Sequence, residues 1–183
     1  MRMHYANEQL DRQCIYEFID CERNLDCLLC ELASSRSGIT RLGLYISQII
    51  DDQGLEKALE YYNKLRHIFG SGTATAMKEK IGDEPISPEI LKNTLCDNYT
   101  CFGMDFEVET GFDSIEITIK KCPIHEELSK AGLKYSVITQ FCEQGSKGEH
   151  AAITSVFPDL EPYSIHRKDN NTVCKEGYRI KKK

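Results

Sequence analysis

The sequence predicts an α+β protein: N-terminal helices followed by a four-stranded antiparallel sheet of two hairpins, with helices inserted between them. Three observations carry this. From Leu10 onward apolar residues recur every three or four positions, the spacing of one helix face. At Phe102 the period changes to two, the spacing of a strand with one buried side. Gly111 and the run Asp169-Asn170-Asn171 then break the alternating stretches where hairpin turns are needed. The chain of 183 residues suits one domain over 1–183, with a helical half over about 1–96 and a sheet half over about 97–183.

The first helix carries Leu10, Cys14, Phe18, Cys21, Leu25, Leu28 and Leu32 on one stripe, widened by Ile15, Ile19 and Leu29. Cys14 and Cys21 lie inside that stripe and read as small packing residues. Cys27 and Cys30 form a Cys-x-x-Cys pair one helical turn apart. No second pair lies nearby at zinc-finger spacing, so they too read as structural. A second helix runs from about Ile39 to Ile50. Asp52 is the expected N-cap of a third, bearing Leu55, Ala58, Leu59, Tyr62, Leu65, Ile68 and Phe69. Gly70-Ser71-Gly72 is expected to bend it, and the pattern resumes with Ala74, Met77 and Ile81 before Gly82. The segment lacks the Lys-Ser or Lys-Thr of a phosphate loop. Ser87-Pro88-Glu89 reads as N-cap, N1 and N2 of a short helix ending near Cys96.

In the sheet half, Phe102, Met104, Phe106 and Val108 alternate with polar residues, and so do Ile115, Ile117 and Ile119. These are the strands Phe102 to Val108 and Ile115 to Lys121 of a first hairpin. Tyr163 to Lys168 and Thr172 to Ile180 flank the asparagine turn and form the second. Between them the spacing predicts helices over Pro123 to Ala131 and Leu133 to Cys142. A glycine-rich loop follows at Gly145-Ser146-Lys147-Gly148, then a short helix near Glu149 to Val156.

Composition excludes several classes. Hydrophobic residues make up 40% and charged residues 28%, ordinary usage for a globular chain. The formal charge of −6 argues against nucleic acid, which demands a cationic footprint. The only basic cluster is the tail Arg179, Lys181, Lys182 and Lys183. The longest apolar stretch, Leu42 to Ile50, is interrupted by Gly43, Ser47 and Gln48 and is far too short to span a bilayer. No membrane partner is expected. With no apolar leader at Met1 to Glu8, the expected location is the cytoplasm. A homo-oligomer stays open.

The nine cysteines are an odd number in a reducing compartment, so a disulfide framework is not expected. Cys122 follows a strand directly, and Pro123 opens the next helix. A thiol there faces the positive end of the helix dipole, which favours thiolate. His125, three residues on, can point at the same spot. Two designs suit these residues: Cys122 as nucleophile with His125 as its base, or Cys122, His125, Cys142 and Cys174 as a Cys3His zinc set. The plain alternative is three buried thiols and a surface histidine. Glu126 and Glu127, in the first turn of the same helix, His150 on the glycine loop, His166 on an outer strand face, and Asp97 and Asp105 are lesser candidates. There is no nucleotide fingerprint, serine elbow or His-Glu-x-x-His motif.

The spaced set Lys121-Cys122-Pro123, Gly132-Leu133, Phe141-Cys142, Pro158 and Cys174, with the helix Gly54-Leu55-Glu56-Lys57-Ala58-Leu59 before it, resembles the L-2-amino-thiazoline-4-carboxylic acid hydrolase-like family over roughly Gly54 to Ile180. Glu143-Gln144 after the middle cysteine and the loose Asp169-to-Lys175 turn depart from that family's pattern. The resemblance implies a hydrolase opening the C–N bond of a small cyclic amidine or related molecule. The competing expectation is a metal-containing small-molecule-binding sensor module related to 4-vinyl reductase domains, without turnover.

Overall fold

The computed structural model describes residues 36–82, 84–167, 169 and 172–181. The expected first helix, with Cys14, Cys21, Cys27 and Cys30, lies outside them, as do Lys182 and Lys183. The elements are α1 Arg36–Gln53, α2 Leu55–Ile81, α3 Pro88–Cys101, β1 Asp105–Thr110, β2 Ser114–Lys121, α4 Pro123–Lys130, α5 Tyr135–Val156, β3 Leu160–Ile165 and β4 Cys174–Ile180. This is the predicted α+β order, helices first and one antiparallel sheet after. Among the described residues, no helix is long and apolar enough to cross a membrane.

The strands order as β1-β2-β4-β3, so the two hairpins join through their second strands. Phe106 opposes Ile119 and Val108 opposes Ile117 in the first hairpin. Ile115, Ile117 and Ile119 are all buried, because the alternation turns every second side chain of β2 to the helices. The opposite face is polar and cross-braced: Lys175 pairs with Glu116 at 2.5 Å, Lys120 pairs with Glu107, and the Tyr163 hydroxyl donates to Glu116 at 3.1 Å. Two apolar cores result. One lies between the sheet and α2, α3 and α5; the other joins α1, α2, α4 and α5. Cys122 and Met104 pack against both.

Several boundaries differ from expectation, each for a local reason. Asp52 is not a cap: α1 runs on to Gln53, and Gly54 at φ 87° makes the corner into α2, a backbone angle that favours glycine. Gly70-Ser71-Gly72 does not interrupt α2, which runs unbroken over Leu55–Ile81. Ser71 donates to the carbonyl of His67 at 2.9 Å, and Gly70 is buried against α5. Ser87 accepts from the Ile90 amide and Pro88 opens α3 as predicted, but α3 continues past Cys96 to Cys101. Amides of Phe102 and Met104 then close onto Asn98 and Tyr99, so β1 starts only at Asp105. β3 and β4 also lie short of the expected turn, since beyond Ile165 the chain leaves the ladder and Arg167 turns back toward β2 and Cys174.

The largest correction concerns residues 133–156. Two helices and a glycine loop are expected; one helix, α5, spans Tyr135–Val156. Gly145 and Gly148 are buried within it because α2 crosses there at backbone contact. A Cβ on Gly145 would meet the Tyr62 ring at 2.7 Å, one on Gly70 would meet the Glu149 carbonyl at 2.6 Å, and one on Gly148 would strike the Asn63 carbonyl. Polar side chains bridge the same seam: Asn63 donates to the Gln144 carbonyl at 2.8 Å, and the His67 ring lies 3.2 Å from that of Gly148. Glycine costs an isolated helix about 1 kcal/mol, and here the close approach offsets it. Gly148→Ala is expected to destabilise the fold by about 1–3 kcal/mol, the usual cost of overpacking. Equilibrium denaturation measures it, and Gly72→Ala, where nothing lies within 4 Å, serves as the tolerant control.

Candidate functional site

The β2–β4 register builds the site. Ile119 opposes Cys174, Ile117 opposes Glu176 and Ile115 opposes Tyr178. Directly opposed residues share a face, so β4 turns Cys174, Glu176 and Tyr178 inward with the isoleucines. A thiol and a carboxylate thereby enter the layer between sheet and helices.

Cys174 is 6% exposed and begins β4. Its sulfur accepts the Arg167 amide at 3.4 Å. The Arg167 guanidinium reaches across to the carbonyls of Ile119 and Lys120, at 3.1 Å each, which ties the segment after β3 to the end of β2. Burial pushes the Cys174 thiol up, but hydrogen bonding to His166 and to Arg167 outweighs it and holds the thiol below its ordinary value of 9.0. His166 moves the other way. Burial lowers it, yet Cys174 and the Glu176 charge raise it above 6.5. The opposed shifts show that Cys174 and His166 each favour the other's charged form. His166 lies beyond the end of β3, not on an outer strand face.

Cys122 departs from expectation. It is the N-cap of α4 with Pro123 following, where thiolate stabilisation is expected. Instead burial raises its pKa, outweighing the amides of His125 and Ile124. Cys142 does not end a helix but lies inside α5, and burial raises its thiol strongly, with Cys122 and Cys174 adding to the effect. Cys122, Cys142 and Cys174 are thus within electrostatic reach of one another, and all three are free thiols. Only Cys174 is poised toward thiolate. His125 packs edge-on against Tyr135 at 4.9 Å. Burial and then Arg167 lower its pKa, which disfavours the protonated ring. Among the described residues, no group of three or more His, Cys, Asp or Glu side chains is arranged to hold a metal ion; the four residues expected as a zinc set do not form one here.

Beside the thiols lies a polar layer that the sequence did not reveal. Glu176 accepts from the Tyr99 hydroxyl at 2.6 Å and from Ser146 at 2.8 Å. Arg66 on α2 pairs with Glu149 on α5. The His150 ring, on α5 rather than on a loop, packs against Tyr178 at 5.4 Å. Burial pushes Glu149 up despite Arg66. For Glu176 burial acts the same way, but Tyr99, His150, Ser146 and Arg66 reverse it and leave the carboxyl below 4.5. The first-turn acids of α4 have ordinary roles. Glu127 is buried and accepts from Thr40 at 2.8 Å and Lys130 at 2.5 Å, and Glu126 faces Lys121 at 3.6 Å. Asp97 pairs with Lys80 at 3.2 Å. The overlooked signal was the period-two run Cys174, Glu176, Tyr178, whose parity matches the buried isoleucines of β2.

Tyr99→Phe removes one donor from the buried Glu176 carboxylate and is expected to cost about 1.5–3 kcal/mol, as for other hydrogen bonds to a charged group. Because the folded pKa of Glu176 is depressed, its stabilisation is present above the unfolded value and is lost as pH falls through the folded one. Denaturation of parent and variant across that range should therefore show their stabilities converging in acid. No family model, curated protein or solved structure matches the chain, so the functional reading is carried by the residues themselves.

Proposed function

We propose that the chain is a thiol-dependent hydrolase acting on the C–N bond of a small cyclic amidine or related molecule, with Cys174 and His166 as its reacting pair in place of Cys122 and His125. The observation that carries the reading is the Arg167 amide on the Cys174 sulfur at 3.4 Å, with His166 against the same thiol. A nucleophilic cysteine needs a partner that stabilises thiolate and later returns a proton, and these neighbours supply both.

In the reaction the Cys174 sulfur attacks the sp² amidine carbon. A C–S bond forms, and the electron pair of the ring C=N bond moves to the ring nitrogen, which takes the proton held by His166. Collapse of this adduct breaks the bond from that carbon to the ring nitrogen, which leaves as an amine with a second proton passed from the exocyclic amino group, and that group becomes the C=NH of an S-bound intermediate. Water then adds across the C=NH, its oxygen to carbon and one proton to nitrogen, and the remaining hydroxyl proton passes to His166 as the C=O forms and the thiolate leaves. Atoms balance with water alone. Cys122 and Cys142, raised by burial, remain protonated and pack the wall beside the pair. The 6% exposure of Cys174 favours a second reading in which the same centre belongs to a binding module without turnover.

Anaerobically purified protein, analysed for zinc, would be assayed with a cyclic 2-amino-thiazoline. Turnover is expected to rise with pH to a plateau set by a group titrating below 9.0, the ordinary thiol value. Cys174→Ser and His166→Gln should each lose activity by about 10²-fold or more, the scale of a general acid–base contribution. Cys122→Ser should retain it. Full activity in a folded Cys174→Ser protein would reject the assignment, and tight ligand binding without turnover would favour the binding module.

A further inference from the structure

One apolar row of α2 is left open. Tyr61, Leu65 and Ile68 follow one another at steps of four and three, so they share a helix face. It is not the face that meets α5, which uses Asn63, His67 and Gly70. Tyr61 is 40% exposed and Ile68 43%. Leu65 also lines a shallow groove with Phe69, with Ile39 and Leu42 of α1, and with Phe102. Because α1 starts at Arg36, Ile39 lies in its first turn. The preceding chain therefore enters at the rim of this groove.

That preceding chain supplies an occupant of matching form. Its apolar stripe from Leu10 to Leu32 takes in Cys14, Phe18 and Cys21. A helix with such a stripe is marginal alone in water and needs a second surface to bury it. Leu32 and Arg36 are four positions apart and span about 14 Å at most, so the end of the stripe is tied close to Ile39. As a helix, Leu10 to Leu32 extends about 33 Å at 1.5 Å per residue. The 27 residues of α2 extend about 40 Å on the same rise, so the stripe can lie along α2 without overhanging it. Charge agrees. Lys57 and Lys64 stand over the Tyr61 ring at 5.0 and 6.0 Å and share one carboxylate, Glu60. In the N-terminal segment Asp11, Glu17, Asp20, Glu22, Asp26 and Glu31 outweigh Arg12 and Arg23. An acidic amphipathic segment thus faces an apolar row edged with lysines.

We propose that residues 10–32 fold back within their own chain and dock their apolar stripe along Tyr61, Leu65 and Ile68, filling the groove beside Ile39 and Phe102. The row is then an internal interface of the helical half and not a landing surface for another protein. This inference stands apart from the thiol reading. The segment's own cysteines report on it. At 3.6 residues per turn, Cys14 and Cys21 lie within the stripe, while Cys27 and Cys30 lie on the opposite side. Docking shields the first pair and leaves the second open.

Alkylation of the full chain tests this. Iodoacetamide forms a C–S bond to a thiolate with loss of iodide, and peptide mass spectrometry follows each cysteine. Every rate is divided by that of the same cysteine in the urea-unfolded chain, which removes differences in intrinsic reactivity. Cys14 and Cys21 are expected to label on the order of tenfold or more slowly than Cys27 and Cys30, as for groups reached only by local opening. Tyr61→Asp and Ile68→Asp put a charge into the covered row and should remove most of that difference. Phe112→Asp, at a turn position 94% exposed, should leave it unchanged. Equal rates at all four cysteines of the parent overturn the docking. So does protection that both row variants, folded by circular dichroism, leave intact, because the stripe is then buried elsewhere. Protection that fades on dilution as a dimer dissociates in sedimentation assigns the row to a second copy and also overturns it. Should the row variants fail to fold, the parent decides. A carbodiimide, which condenses an amine and a carboxylate with loss of water, is expected to join Lys57 or Lys64 to an acid of residues 11–31 within the monomer; no such link rejects the proposal.

Discussion

The backbone contact between α2 and α5 is the constraint on which the rest of the structure depends. Gly70, Gly145 and Gly148 let the two helices approach until a single added Cβ would meet carbonyls or a tyrosine ring. Both cores draw on this pair: α2 and α5 contribute Ala74, Met77 and Ile153 to one, and Ala58, Tyr62, Ile138 and Phe141 to the other. A wider crossing would separate Arg66 from Glu149 and lift α5 off the sheet, leaving Glu176 without Ser146. The contact also explains how Arg66 and Glu149 are tolerated in an interior. They are introduced as partners on helices already held together, so desolvation is met by short, fixed hydrogen bonds.

The sheet supplies the second coordinate. Pairing of β2 with β4 fixes the parity of the last strand, and parity decides whether Cys174 and Glu176 face helices or water. A slip by one residue would send both outward and bring Lys175 and Gly177 inward. Gly177 guards against such a slip, since a Cβ there would strike the Ile115 carbonyl while the Tyr163 ring covers the gap from the neighbouring strand.

The fold was legible where the signal is local. Ser87-Pro88 announced the start of α3, Pro123 that of α4, and the alternating isoleucines announced β2. Errors gathered where a long-range contact decided the outcome. Gly70 and Gly145-Ser146-Lys147-Gly148 carry breaker residues, and nothing in the local sequence tells a loop from a helix crossing that needs room. The site was harder to read. Cys122 has the sequence marks of an activated thiol, a strand end and a helix start, yet its burial between both cores reverses the effect. Cys174 has neither mark. It is made acidic by His166 and Arg167, which approach it only because the chain turns back after β3. Arg66 and Glu149 are separated by 83 positions, and no local pattern on either helix points to the other.

Two stiff rulers set the interior spacing. On α5 the rise from Cys142 to Glu149 is about 10 Å at 1.5 Å per residue, and on β4 Cys174 and Glu176 are about 7 Å apart along the strand. Neither segment contains a joint. A molecule wedged among the thiols therefore cannot displace them alone; any tilt of α5 or β4 is transmitted to the Glu149 and Glu176 carboxylates as well. The sulfur and carboxylate layers behave as two ends of one frame, and strain applied at one end is felt as altered charge balance at the other.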